Sequence, residues 1–130
     1  ELSRSGILSM NAHKTIYVVT PEFNSNGQML FRDNLKPEIA GKNVLLLLAS
    51  ATTGKTVRTS IECIEYYGGI LQGISAIFSA VDSIAGHRID ALFRAEDIPK
   101  YEAYSSHDCP MCKAGQSIDA LVNGYGYSEI

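Results

Sequence analysis

The sequence predicts an α/β fold: a mainly parallel sheet flanked by helices, with a β-hairpin projecting near the ligand face. Three observations predict it. Val44 to Leu48 is an unbroken apolar run, and an unbroken run, unlike an alternating one, is expected of a strand buried on both faces at the centre of a parallel sheet. A loop of small residues, Ala49 to Thr56, then leads into a stretch with apolar residues at helical spacing. Gly68-Gly69 and a second apolar run, Ile70 to Phe78, follow at once. Strand, helix and strand with a short glycine joint make a βαβ unit, right-handed by default.

The elements follow in order. Glu1 to Leu8 reads as the last turns of a helix, and its uncapped start leads us to expect a chain cut upstream. Thr15 to Thr20 is rich in β-branched and aromatic residues and predicts a strand that Pro21 ends. Asn24-Ser25-Asn26-Gly27 is a turn signal and Gln28 to Phe31 a short second strand, so 15–32 is expected to form a hairpin. Lys36 to Lys42 reads as a short helix or turn. The helix after Thr56 should bury Val57, Ile61, Ile64 and Tyr66 or Tyr67, and stop at Gly68-Gly69. Gly73 interrupts the Ile70–Phe78 strand. Ala91-Leu92-Phe93 and Ile118 to Val122 are a third and a fourth strand.

Composition narrows the function. A chain of 130 residues is the size of one domain. Its hydrophobic share of 45% and charged share of 19% exclude intrinsic disorder. A net charge of −3 argues against a general nucleic-acid or anionic-membrane binder, and no nucleic-acid partner is expected. The longest apolar run, Val44 to Ala49, is far short of the roughly 20 residues that cross a bilayer. Three cysteines, an odd number, do not read as a secreted disulfide framework, so the cytoplasm is the expected compartment.

A buried strand, a small-residue loop and a helix start together predict a phosphate site. Unpaired N–H groups of the first turn and the positive end of the helix dipole meet there. The candidate residues are Ala51, Thr52, Thr53, Gly54, Lys55 and Thr56, with the three threonines adding hydroxyl donors. The alternative is a tight turn with a threonine as helix cap. A P-loop nucleotide hydrolase, G-x-x-x-x-G-K-S/T, matches at Gly54-Lys55-Thr56, but Ala49 stands at the first glycine, and only Asp82 offers a downstream magnesium ligand.

Val44 to Leu47 followed by Thr52-Thr53-Gly54-Lys55-Thr56 resembles the signature of the type I phosphoribosyltransferases: an apolar strand, two acidic residues, two further residues, then T-T-G-x-S/T and a helix. Cys109-Pro110-Met111-Cys112-Lys113-Ala114-Gly115 resembles a segment near the end of many orotate phosphoribosyltransferases. The likeness runs to about residue 122. It implies a single domain over 1–130 lacking an N-terminal portion, a homodimer, and binding of the 5′-phosphate of phosphoribosyl pyrophosphate (PRPP) or of a nucleoside monophosphate. It further implies phosphoribosyl transfer to a base such as orotate, with magnesium.

The departures are informative. The two acidic positions of the motif are Leu48 and Ala49. In the family those carboxylates bind the ribose hydroxyls and stabilise the positive charge that develops on the sugar. Leucine and alanine do neither, and losing such a preorganised partner costs orders of magnitude in rate. Binding with weak or no transfer is therefore expected, as is a sensing or regulatory module that kept the cradle. The place of the family's lysine-rich mobile loop is taken by Tyr17 to Arg32, where Arg32 is the only cation; Lys14 sits at its base.

Other residues carry candidate chemistry. Cys109 and Cys112, with His107, suit three positions of a tetrahedral zinc site; a redox pair and a plain structural turn with free thiols are the alternatives. Asp82 follows a buried strand and is a candidate on the base side; the alternative is an N-cap. Arg88 and Arg94 read as solvated surface cations, and Tyr125 and Tyr127 as a frayed aromatic end.

Overall fold

The run Asn43-Val44-Leu45-Leu46-Leu47-Leu48-Ala49-Ser50-Ala51 has neither proline nor glycine to break it, and it forms one nine-residue strand, whose pairing with its neighbour shifts register once, between Val44 and Leu45. The computed structural model describes residues 15–105 and 107–130. The helix expected over Glu1–Leu8, and Lys14, lie outside the described residues.

We label the elements β1 (Glu22–Phe23), β2 (Met29–Leu30), β3 (Asn43–Ala51), α1 (Lys55–Tyr66), β4 (Ile70–Ser79), β5 (Ser83–Ile84), β6 (His87–Arg94), α2 (Pro110–Lys113), β7 (Ala120–Asn123) and β8 (Gly126–Glu129). Asp33–Glu38 and Ala95–Asp97 are 3-10 turns. The main sheet has the order β3-β4-β6-β5. β3, β4 and β6 are parallel, with Leu46, Ile74 and Ile89 in register across them, and β5 closes the edge antiparallel to β6. This is the α/β, mainly parallel fold the sequence predicts.

α1 runs back across one face of this sheet. Its residues Val57, Ile61 and Ile64, spaced three and four apart, are buried as expected. Val57 and Ile61 meet Ile74, Ala76 and Ile89 in the main core. At the far end, Met29, Phe31, Ile39 and Cys63 form a second cluster, against which Tyr67 packs edge-on to Phe31 at 5.4 Å. Tyr66 points to solvent. Left-handed Gly68 (φ +75°) ends the helix, and Gly69 donates its N–H to the Ile64 carbonyl at 2.9 Å.

Several expectations are corrected. The Val44–Leu48 run is dry on one face only: Leu46 and Leu48 pack on the core, whereas Leu45 and Leu47 are 54% and 68% exposed. With Ile77 and Leu92 they form an apolar face that nothing among the described residues covers. Thr15–Thr20 is not a strand, because no neighbouring strand among the described residues takes its backbone hydrogen bonds. The hairpin is confined to β1 and β2. The predicted fourth strand is β7, which pairs with β8 in a hairpin of its own and not with the main sheet. Tyr127 is thus part of a strand, and Tyr125 sits at the hairpin tip. No helix among the described residues is long and apolar enough to cross a membrane.

The joint between α1 and β4 is tight. A Cβ on Gly69 would lie 2.8 Å from Ile64 Cγ2 and 3.0 Å from Ile39 Cγ2, whereas one on Gly73 would make an ordinary 3.4 Å contact with Leu45. Gly69→Ala is therefore expected to lower unfolding stability by about 1–3 kcal/mol. Gly73→Ala should be neutral or stabilising by up to about 1 kcal/mol. Urea denaturation of the two variants checks both signs.

Candidate functional site

β3 delivers its last residue, Ala51, into the core, and two groups fix its carbonyl there. The Ala80 N–H donates to it at 2.8 Å, and the hydroxyl of fully buried Ser79 lies 3.5 Å away. The Ser79 hydroxyl makes its shorter bond, 2.7 Å, to the Val81 carbonyl. Beyond this clamp the chain leaves the sheet. Thr52 and Thr53 are exposed, and Gly54 turns left-handed (φ +75°, ψ 0°) to open α1.

The cap residue is therefore Gly54, which has no side chain to offer the first-turn amides. The threonine cap considered from the sequence is not formed at this position. The first intrahelical bond is Arg58 N–H to the Gly54 carbonyl at 3.0 Å, which leaves the amides of Lys55, Thr56 and Val57 without intrahelical partners. They border a concavity of about 110 Å³ lined by Ser50 through Val57. All six sequence candidates, Ala51, Thr52, Thr53, Gly54, Lys55 and Thr56, line it. Ser50, which sequence reasoning passed over, adds a further hydroxyl. Its position two residues before the threonines was the available signal.

Gly54 is required for two reasons. Its φ disfavours any side chain, and a Cβ there would overlap Cδ1 and Cγ1 of Ile84, which reaches over from β5. Loss of binding in Gly54→Val would report this packing as much as any approach of an anion.

The lining is electrostatically one-sided. It offers amides, hydroxyls and the Lys55 ammonium, and no carboxylate among the described residues. Leu48 is half-buried against the core, and Ala49 is exposed just below the loop.

A second concavity, of about 390 Å³, is lined by Asp82, Ser83, Arg88 and Arg94. Asp82 is not an N-cap: its carboxylate accepts from Arg94 Nη1 at 2.8 Å. Arg94 is not a free surface cation either. Its guanidinium, only 23% exposed, also donates to the carbonyls of Val81 (3.3 Å) and Ile89 (2.6 Å), tying the β4–β5 connection to β6. Sequence reasoning missed this role, since nothing local in sequence pairs positions 82 and 94. Arg88 stays exposed, 3.4 Å from Asp90. Arg32 is paired with Glu22 across the base of the β1–β2 hairpin.

Cys109 stands at the start of α2 and Cys112 one turn on. The Cys112 amide and thiol and the Met111 amide lower the Cys109 pKa from its ordinary value, although the geometry is too open for a capping bond; the Cys109 sulfur in turn pushes the Cys112 thiol up. Burial raises Cys63. Among the described residues no group of three or more His, Cys, Asp and Glu side chains comes together as metal ligands, and His107 does not complete one with the two thiols.

No family model matches the chain. Curated relatives do. An orotate phosphoribosyltransferase of Pelotomaculum thermopropionicum is 35% identical over 94 residues, which is 69% of this chain and 46% of that protein. One of Thermus thermophilus is 32% identical over 101 residues, 77% of this chain and 53% of its own length. One of Campylobacter jejuni subsp. doylei is 30% identical over 86 residues, 58% of this chain and 43% of its own. The chain is a relative of the type I phosphoribosyltransferases. It spans about half the length of the curated relatives it matches.

Within that phosphoribosyltransferase-like frame, the two positions where the motif carries acids differ physically. The Ala49 side chain faces solvent, whereas Leu48 contributes to the core. Ala49→Asp is accordingly expected to change stability by less than about 0.5 kcal/mol. Leu48→Glu should cost about 1–3 kcal/mol, from lost apolar burial and the desolvated carboxylate. Thermal melts of the two single variants check the asymmetry.

Proposed function

We propose that the loop 51–56 binds the 5′-phosphate of PRPP or of a nucleoside monophosphate, and that the chain on its own transfers phosphoribosyl to a base such as orotate weakly or not at all. The observation that carries this reading is the left-handed Gly54 cap. It leaves the Lys55, Thr56 and Val57 amides open to a small concavity edged by Ser50, Thr52, Thr53 and Thr56 hydroxyls. Converging N–H donors at a helix start are the physical basis of phosphate binding, and Lys55 adds a full charge.

The same lining argues for weak chemistry. Transfer from PRPP builds positive charge on the ribose, and a site speeds such a step with preorganised negative charge. No carboxylate lines the concavity among the described residues. Nor does this donor set fit a magnesium ion held by the protein, since magnesium prefers carboxylate and phosphate oxygens. Magnesium belongs in this reading to the pyrophosphate of the ligand. A regulatory module that senses PRPP or a nucleotide is supported by the same two features, open helix-start amides and a lining without carboxylates.

Calorimetric titration with PRPP, with and without magnesium and against ATP, tests the reading. PRPP is expected to bind and ATP not. Thr53→Val combined with Thr56→Val, which keeps the loop's bulk and the Gly54 bend, should weaken PRPP binding by about thirtyfold or more, since each hydroxyl bond to a charged group contributes on the order of 1 kcal/mol or more. Turnover with orotate should be orders of magnitude below that of an enzyme with the acidic pair. Unchanged affinity in the double valine variant would remove the cradle assignment.

A further inference from the structure

The Cys109-Pro110-Met111-Cys112 turn takes no part in the phosphate site, and its geometry suits a chemistry of its own. α2 is a single helical turn closed by its backbone: Lys113 N–H donates to the Cys109 carbonyl at 3.1 Å and Ala114 N–H to the Pro110 carbonyl at 2.9 Å. Left-handed Gly115 (φ +72°) ends it, with bonds from Gly115 N–H to the Cys112 carbonyl (3.1 Å) and from Gln116 N–H to the Met111 carbonyl (3.0 Å). Residues three apart on such a turn are neighbours, with Cβ atoms about 5–6 Å apart. A disulfide takes about 3.5–4.5 Å. Cys109, extended at the cap (φ −67°, ψ 116°), is outside the regular turn, so helical spacing does not fix its separation from Cys112. Pro110, the first of the two residues between them, has its φ fixed near the helical value by its ring.

Access separates these thiols from the third. Cys112 is exposed and Cys109 partly so, whereas Cys63 is buried, with Sγ donating to the Met29 carbonyl at 3.6 Å. The donor set at the turn is a pair. No third metal-ligating side chain joins it among the described residues, whereas structural zinc sites use four ligands.

We propose that Cys109 and Cys112 form a reversible dithiol–disulfide site that exchanges with low-molecular-weight disulfides. One cysteine thiolate attacks a sulfur of the small disulfide. A protein–sulfur bond forms, the small S–S bond breaks, and the first small thiolate leaves and takes up a proton. The second cysteine then loses its proton and attacks the protein sulfur of the mixed disulfide. The Cys109–Cys112 bond forms and the second small thiolate leaves. The protein gives up two electrons, and one small disulfide becomes two thiols.

The test uses the full chain, reduced and then equilibrated in mixtures of reduced and oxidised glutathione. Free thiols are alkylated in denaturant and mapped by mass spectrometry. Cys109 and Cys112 are expected to leave the alkylatable pool together as an internal disulfide, and Cys63 to remain alkylated. Cys109→Ser and Cys112→Ser should each stop at a glutathione mixed disulfide, accumulating it at least about tenfold over the unsubstituted chain, because each lacks the resolving thiol. Three results would overturn the proposal: a persistent mixed disulfide in the unsubstituted chain, a linkage involving Cys63, or two thiols that react only after a chelator has stripped zinc.

Discussion

The left-handed bend at Gly54 is the constraint from which the rest of the site follows. β3 must stop at Ala51, where Ala80 and Ser79 hold its carbonyl, and α1 must start in time to lay Val57 and Ile61 on Ile74 and Ile89. Only three residues separate the strand from the helix. A reversal that short needs a positive φ, and Ile84 occupies the space that a Cβ would take. The bend that packs the helix also strips it of a side-chain cap. The open amides are thus a by-product of the core packing, and the phosphate reading needs no separate architecture.

The relation to the orotate phosphoribosyltransferases and the absence of the acidic pair pull in different directions, and the geometry shows why they are compatible. The cradle depends on backbone: a bend, a helix start and hydroxyl-bearing neighbours. The acidic pair depends on side chains at the end of β3, and replacing it leaves the strand in place. Leu48 adds its side chain to the core that positions the loop. A sequence can therefore exchange charge for packing at position 48 and retain the bend and the helix start on which the proposed phosphate binding rests. In the relatives named above, the matched region is also only about half of the protein.

How much the sequence revealed follows from how local each signal is. The Val44–Leu48 run, the threonine-glycine loop, the 57–61–64 spacing and Gly68-Gly69 are short-range patterns, and they appear as β3, the bend that opens α1, the buried face of α1 and its stop. The failures are long-range. Thr15–Thr20 has strand propensity, but a strand needs a partner, and propensity does not supply one. Asp82 and Arg94 are twelve residues apart in sequence and 2.8 Å apart in space. Tyr127 joined a hairpin because Asn123 accepts from the Tyr125 amide through its side chain at 2.8 Å, a turn contact that Gly124 and Gly126 permit but do not announce.

The single-sided burial of the sheet is the most consequential of these differences. An unbroken apolar strand was expected to be dry on both faces, and in parallel sheets that rule rests on crossover helices covering each side. Here one crossover helix among the described residues covers one side, so Leu46 and Leu48 are buried while Leu45 and Leu47 are not. The apolar character of the second face is thus not explained by the packing described: at about 25 cal/mol per Å² of apolar surface, exposure of leucines and isoleucine gains nothing for this fold. The residues across from Leu45 and Leu47 in register, Gly73 and Ser75, are small, and Leu45 leans over Gly73, where an added Cβ would meet its Cδ1 at 3.4 Å. Selection for stability of the described elements alone would not favour this pattern, and the core beneath α1 does not depend on it.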